Sequence, residues 1–473
     1  MEKMRPSGDS AENDGYFIFR SRNKLPSGSF KPFKYGVAPN HNTNNNNNMA
    51  SWNSLPVELC LQIVDNLDLD NTRAFSTVDQ RTHTVCVPLL FRHIKLDQLD
   101  AFVQQVPSAY CRHIQHLDIA VNNGSVPHLI SILKAAPRLS QLVLRLNGAI
   151  GHEVIPFFGN LACLGHLTIR NCADEIASPL SERLVTSIAA TVPRLRYLHL
   201  ERVSRSTLHS PELIGKFPHV PLVKGDEDIP DHPILGSALS LPSLLSIPTL
   251  RQLIIRDTHL GDPLWATAPV HCRLEVLDLG SCVHEAPTPN RLAIERIMSA
   301  VGPSLSAFSL PTALASPPRT PLPCLRALHI SPFVPPDEVA DTITTLAASP
   351  IEALSVQCFG DDLADACSAL ETFLALRAER GPAFFGKLAR IDVAVAADDV
   401  YSSTYERGSE HDKAAQRLQE FCKNLHLTSC VPVPSCKPKT DRGRSNSCAF
   451  FFFFFGDSDL LLLFSVVHRL SYR

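Results

Sequence analysis

The hydrophobic positions of this chain repeat in a pattern that predicts a short strand followed by a helix. Within each copy the apolar residues follow the spacing L-x-x-L-x-L. The last two face the same side of a strand, because strand side chains alternate. Between copies the apolar spacing changes to that of an amphipathic helix. Ten copies occur, and they begin at Ile114, Leu139, Leu164, Leu195, Leu250, Leu274, Leu305, Leu325, Ile351 and Leu388.

Prolines precede many of the predicted strands. They lie two residues before the first apolar position, at Pro137, Pro193, Pro248, Pro303 and Pro323. Proline cannot continue a helix, and the residue before it favours an extended conformation. The prolines therefore predict where one helix ends and the next strand begins.

The turn that leaves each strand points to a known repeat family. Asn122, Asn147, Cys172 and Cys282 stand three residues after the last apolar position. With this residue and a length of roughly 20–29 residues per copy, the copies resemble leucine-rich repeats. The resemblance implies an irregular, horseshoe-like α/β solenoid over residues 110–396, with the strands on its concave face. The alternative is a generic α/β core, in which this pattern would not recur so often.

One long segment interrupts the repeats between the copies at Leu195 and Leu250. Residues 208–246 are rich in proline and include the charged run Lys224-Gly225-Asp226-Glu227-Asp228. This composition predicts a solvated loop, with a degenerate repeat as the alternative. Long loops are often functional, so the segment is also a candidate contact site.

Residues 50–96 predict a small helical module before the repeats. Ser54 can cap a helix in which Leu59, Ile63 and Leu67 recur at four-residue spacing. The order of residues resembles the F-box, although Thr72 and Arg73 stand where two leucines are usual and Thr82 where an aromatic is common. The positions that carry the resemblance are Leu55, Pro56, Glu58, Leu59, Ile63, Leu67, Asp68, Leu69, Ser76, Val78, Arg81, Pro88, Leu89, Leu90 and Phe91.

The two resemblances together are those of a fungal-type F-box protein with leucine-rich repeats. They imply a substrate-recognition subunit of a ubiquitin ligase, which binds the Skp adaptor and cullin scaffold at one end and an unknown protein substrate through the repeats. The adaptor-binding residues implied are Leu55, Pro56, Glu58, Leu59, Ile63 and Leu67. The alternative is a repeat scaffold without a ligase, in which the helices only cap the repeat stack.

The predicted concave face suggests where a substrate could bind. Arg145, Arg170 and Arg256 follow the last apolar positions of their repeats, and Tyr197 precedes one. These side chains would form a mixed patch able to bind carboxylates or phosphates of a partner. The alternative is that each is a solvated strand residue without a ligand.

Composition and motifs limit the classes of partner and of reaction that we expect for this chain. The chain has 473 residues and a net charge of -3, so it has no general attraction to nucleic acid or to an anionic membrane. The 14 cysteines show no CxxC pair and no secretory leader precedes them, which favours the cytoplasm or the nucleus. We find no nucleophile elbow, zinc-protease or dinucleotide motif. We therefore predict a protein that is not an enzyme and holds no metal or cofactor; a hydrolase within residues 208–246 is a third, weaker alternative.

The ends of the chain differ from the rest. Residues 1–49 are polar and include an Asn run, which predicts disorder. Residues 397–447 predict a helix over 409–425 and a linker. Residues 448–473 contain six consecutive phenylalanines and resemble translated non-coding sequence; Asp457 and Asp459 interrupt the apolar run, which argues against a membrane anchor.

Overall fold

The computed structural model describes residues 17–19, 52–216, 220–280, 282, 284–314, 316–318, 322–396 and 409–431. The chain divides into two compact units, Met1–Leu325 and Arg326–Arg473. The predictions for residues 1–49 and 448–473 fall outside the described residues, except at Phe17–Phe19. Those three residues form strand β1, which pairs in parallel with Ile94–Leu96.

Three helices form the module that precedes the repeats: α1 (Val57–Asp65), α2 (Leu69–Ser76) and α3 (Gln80–Leu90). Asp68 and Asp79 cap α2 and α3, because their carboxylates accept the backbone N–H groups of Asn71 and Thr82. The three helices pack around a core of their own, made of Cys60, Val64, Val85, Cys86 and Leu90.

Parallel strands run through the first unit, and all but two of them pair with the strand of a neighbouring copy of the repeat. Their residues are β2 (His93–Leu96), β3 (His116–Val121), β4 (Gln141–Leu146), β5 (His166–Asn171), β6 (Tyr197–Glu201), β7 (Arg205–Ser206), β8 (Leu222–Val223), β9 (Gln252–Arg256), β10 (Val276–Leu279) and β11 (Ala307–Leu310). Strand β6 pairs directly with β9, while β7 and β8 pair with each other. The short strands β7 and β8 therefore belong to the segment between two repeats.

Helices connect these strands. The α-helices are α4 (Leu99–Gln105), α5 (Ser108–Cys111), α6 (Val126–Ala135), α7 (Ile155–Phe158), α8 (Glu182–Thr191) and α9 (Pro287–Val301). Short 3-10 helices lie at Trp52–Ser54, His152–Val154, Pro211–Leu213, Leu241–Ser246, Pro263–Ala266 and Gly302–Ser304. Several connections are thus only a turn or two long.

The second unit alternates strands and helices in the same way. Its elements are β12 (Ala327–Ile330), α10 (Pro336–Thr345), β13 (Ala353–Cys358), α11 (Leu363–Arg380), β14 (Arg390–Val395), α12 (Ser409–Asn424) and β15 (Thr428–Cys430). Helix α11 ends at Gly381, whose φ of 87° lies in the left-handed region that glycine adopts most easily. Strand β15 pairs with β14, so the parallel strands of this unit continue past residue 396, where we expected the repeats to end.

The predicted repeat is confirmed as an α/β architecture of parallel strands. Every copy coincides with a strand, and its three apolar residues are at most 4% exposed. Burying one such side chain stabilises the fold by about 1.5–3 kcal/mol. Strand β2 was missed, although Phe91, Ile94 and Leu96 follow the same spacing, because these residues were assigned to the helical module. The curvature implied by the resemblance stays a prediction.

The prediction of a solvated loop over residues 208–246 holds only in part, because the segment has exposed residues such as Ile214 and Ile234 but also buries others. Leu213, Val223, Ile229 and the 3-10 helix Leu241–Ser246 are buried. The segment covers helix α8, whose residues from Glu182 to Ala189 are all buried as a result. Its apolar residues are sparse and irregularly spaced, so their burial was not visible in the sequence.

Among the described helices, none is long and apolar enough to cross a lipid bilayer.

Candidate partner-binding surfaces

Helix α1 exposes an unusual number of large apolar side chains. Val57, Leu59, Leu61 and Ile63 are 39–50% exposed, and Val78, in the turn between α2 and α3, is 65% exposed. Large apolar side chains left exposed often mark surfaces that bind a partner. We call Val57, Leu59, Leu61, Ile63 and Val78 the apolar surface of the helical module.

The geometry of α1 shows why its own module cannot cover these residues. At 3.6 residues per turn, the buried Cys60 and Val64 point into the module core. Val57 and Leu61 lie on one side of this strip. Leu59 and Ile63 lie on the other side. The apolar residues therefore span roughly 200° of the helix circumference, about twice the width that packing on one face requires. The excess apolar surface is available to a second partner.

The six residues expected to contact the adaptor divide into two groups. Leu59 and Ile63 are exposed, as are Pro56 and Glu58. Leu55 and Leu67 are half-buried against the module core and hold the helices together. The sequence interpretation missed Val57, Leu61 and Val78. Val57 and Leu61 also lie four residues apart, and this spacing could have identified them.

The two threonines that depart from the expected F-box order form hydrogen bonds inside the module. The buried Thr72 donates its hydroxyl to the carbonyl of Asp68 at 2.8 Å. The buried Thr82 donates its hydroxyl to the Asp79 carboxylate, also at 2.8 Å. Backbone and side-chain hydrogen bonds from Thr82 lower the pKa of Asp79, as expected for a carboxylate at a helix N-terminus. Both threonines therefore satisfy their polar groups inside the module.

The strands of the first unit align polar side chains in rows. The residue after the last apolar position of each repeat is in register from strand to strand, in the order Ala120, Arg145, Arg170, Glu201, Arg256. The structure thus brings the three predicted arginines into one row. Tyr197 lies in a different row, level with His166 and Gln252.

The arginines at the two ends of this row are paired with carboxylates of neighbouring strands or turns. Arg145 donates from Nε to Asp118 at 2.7 Å and from Nη2 to Asp97 at 3.0 Å. Arg256 donates from Nη2 to Asp278 at 2.7 Å. Asp118 and Asp278 are diagonal neighbours of these arginines across adjacent strands, a position from which long side chains meet.

Arg170 completes the set of paired arginines. Its Nε lies 3.2 Å from Oε2 of Glu201, its register partner, which is close enough for an ion pair although the hydrogen bond is poorly aligned. None of the three arginines is therefore a free cation awaiting a ligand. The row is a mixed-charge surface, on which a partner must compete with or complement existing ion pairs.

Tyr197 and its neighbours are uncharged at neutral pH. The Tyr197 ring stacks on His166 with 5.5 Å between ring centroids, and burial raises the pKa of Tyr197 to about 12. Burial, aided by Arg256 and Arg170, lowers the pKa of His199 well below its usual value. Tyr197 therefore contributes an aromatic surface beside the arginine row.

Three buried cysteines are held as thiols. Burial raises the pKa values of Cys282, Cys358 and Cys367 to about 12, so each remains a thiol at neutral pH rather than the reactive thiolate. In the part of the chain that is described, no group of three or more His, Cys, Asp or Glu side chains is arranged to hold a metal ion.

Comparisons with known proteins give limited information. No family model and no curated protein matches the chain. Similar solved structures include the complex of Rad7 and Elc1 in yeast, at 14% identity over 74% of this chain and 91% of that chain, with a TM-score of 0.26. Another is the TLR13–ssRNA13 complex, at 10% identity over 78% of this chain and 63% of that chain, with a TM-score of 0.23. Because these TM-scores are low, the repeat architecture rests on features of this chain itself. These are the buried L-x-x-L-x-L positions and the pairing of parallel strands.

Proposed function

We propose that this chain is a substrate receptor of a Skp–cullin–F-box ubiquitin ligase. The observation that carries the proposal is the apolar surface of the helical module: a three-helix unit in F-box order whose first helix is apolar on both sides of its buried strip. An adaptor of the Skp type would bind this surface. Leu59 and Ile63 are its expected centre.

The size of the surface sets what the adaptor must supply. Burying the exposed part of five such side chains contributes roughly 1 kcal/mol each, or about 5 kcal/mol in total. Association costs about 4–15 kcal/mol in lost freedom of motion. Apolar contact alone would therefore give weak binding. The adaptor must add polar contacts, for which the exposed Glu58 is available.

A protein substrate would bind on the strand face of the first unit. Its paired arginines and carboxylates offer both charges, and Tyr197 offers an aromatic contact. Such a surface suits a polypeptide, which carries both charges, better than a uniformly anionic nucleic acid. The mechanism would be proximity, in which the receptor holds a substrate lysine near an enzyme recruited elsewhere in the complex. The chain itself would perform no chemistry.

Capture of purified Skp adaptor by the immobilised full-length chain tests the proposal. The test variant is Leu59→Asp, Ile63→Asp, which should fold because both side chains are exposed. The matched control is Ile176→Asp, Ile234→Asp, which places the same charges on two apolar side chains, each 72% exposed, outside the module. We expect capture by the wild type and the control, and none by the test variant.

Two outcomes would count against the proposal. No capture by the wild type would favour a repeat scaffold without ligase association. Capture that survives in the test variant would show that the adaptor binds elsewhere and that α1 has another role.

A further inference from the structure

A cavity of about 220 Å³ lies where the segment 208–246 meets the carboxyl ends of β4 and β5. Leu146, Ile150 and Leu184 give it apolar walls, and the loop containing Gly225 and Asp226 closes one side. Typical pockets for drug-sized ligands have roughly 300–1,000 Å³. This cavity is therefore large enough for one long side chain or a small molecule, but not for a nucleotide or a large cofactor.

The cavity contains a buried carboxylate. Asp226 is 4% exposed, and its two oxygens accept hydrogen bonds from the hydroxyl groups of Ser181, at 2.7 Å, and Ser206, at 2.8 Å. Among the described residues, no lysine, arginine or histidine nitrogen forms an ion pair with it. A buried carboxylate without a cation is costly, so a cationic ligand would be stabilised here.

The guanidinium group of Arg183 is committed to three backbone oxygens and to His209, whose Nε2 lies 3.3 Å from Nη1. Arg183 donates to the carbonyl oxygens of Asp226, Ile229 and Ser237, at 3.2–3.3 Å. It holds the loop over the cavity and leaves the Asp226 carboxylate to the two serines. Each of the two Asp226 carboxylate oxygens accepts one of these serine hydrogen bonds and has a further lone pair for another donor.

The charge of the lining selects the ligand. Of the described residues that line the cavity, Asp226 and Asp228 are acidic, His152 lies 3.5 Å from Asp228, and none is lysine or arginine. We propose that this cavity binds an alkylammonium group, with the aliphatic chain against the leucine and isoleucine walls and the ammonium on Asp226. The group could belong to a lysine side chain of a protein or to a small free amine. Either is charged at neutral pH, as amines of this kind have pKa values near 10.4.

Titration of the full-length chain with small probes tests the proposal, with binding followed by calorimetry. The probes are butylammonium chloride, its neutral analogue 1-butanol, and Nα-acetyl-lysine N-methylamide. We expect butylammonium to bind at least tenfold more tightly than butanol, because a charge-assisted hydrogen bond is lost with the alcohol. Binding of the lysine derivative at equal or higher affinity would identify a protein side chain as the source. Binding of butylammonium alone would identify a free amine.

Three variants locate the binding. Asp226→Asn should weaken butylammonium binding at least tenfold. Ala149→Trp, on an exposed position of the rim, should block the cavity without a change to the core, and circular dichroism checks that both variants fold. Asp228→Asn removes a rim carboxylate that is 67% exposed and should change affinity less than threefold. The proposal is overturned if the wild type binds neither amine, or if Asp226→Asn and Ala149→Trp, once folded, bind as tightly as the wild type.

Discussion

One fully buried cation inside the first unit is held by carboxylates on two sides. Arg205 is fully buried and contacts two carboxylates, Glu182 and Asp262, as well as the carbonyl of Gly261. Burial raises the pKa of Glu182, but Arg205, together with hydrogen bonds from His209 and the backbone of Ser206, outweighs this effect and the net pKa is lowered. The carboxylate therefore remains ionised, and its charge is balanced inside the fold.

Breaking this buried group should be costly. Arg205→Met preserves much of the side-chain volume but leaves Glu182 and Asp262 buried without a cation. We expect the free energy of unfolding to fall by about 3–5 kcal/mol, measured by urea denaturation. Arg251→Met is the control, because its pair with Glu275 is largely exposed and should contribute less than about 1 kcal/mol. Equal losses in both variants would contradict this account of the buried group.

Several histidines on the strand face should make stability depend on pH. Burial, assisted by His93, Arg92 and His166, lowers the pKa of His116 to about 4. The unfolded value is near 6.5, so the folded state favours the neutral ring. Its contribution to stability is fully present above pH 6.5 and is lost as the pH falls toward 4.

The corresponding measurement is the unfolding free energy at several pH values. For the wild type it should decrease between pH 7 and pH 5, and His116→Gln should reduce that decrease. A pH dependence unchanged by the substitution would show that His116 titrates normally in the folded chain.

Among the secondary-structure elements, α1 shows which exposed residues could be predicted from the sequence and which could not. The four-residue spacing of Leu59 and Ile63 was visible, and the structure exposes both. The exposure of Val57 and Leu61 was missed because a single apolar strip was assumed. The pairing of the arginines was also missed, because it depends on strand register: Asp118 meets Arg145 only once β3 and β4 are aligned. Aligning the repeats by their apolar positions would have predicted it.

The segment 208–246 is the element that the sequence described least well. Its proline content suggested a loop, yet Arg183 of α8 binds three of its backbone carbonyls. Such contacts join residues that are far apart in the chain, so no local sequence pattern predicts them. The segment therefore acts as a cover for α8 and as one wall of the cavity.

Removing those contacts should loosen the segment. Arg183→Met leaves buried carbonyls unsatisfied, and we expect a loss of about 1–3 kcal/mol in the free energy of unfolding. Limited proteolysis with mass spectrometry should then detect the first cleavages within residues 208–246. Arg194→Met, at an exposed position in the same unit, is the control. Cleavage first at other sites in Arg183→Met would contradict the covering role.

For the whole molecule, repeated burial explains most of what the sequence predicted. Each copy contributes three buried apolar residues, so an error in one copy does not alter the architecture. The proposed adaptor surface, the strand face and the cavity all lie in the unit Met1–Leu325. The residues of these three sites are brought together by tertiary contacts, so the sites are harder to predict from the sequence than the fold is.

The decisive measurement is calorimetric titration of purified Skp adaptor into the full-length chain at several temperatures. We predict one adaptor per chain and a negative heat-capacity change, which is the signature of apolar burial. We also predict that both are lost in Leu59→Asp, Ile63→Asp. Absence of binding by the wild type, or binding unaffected by the double substitution, would contradict the assignment of α1 as the adaptor-binding helix.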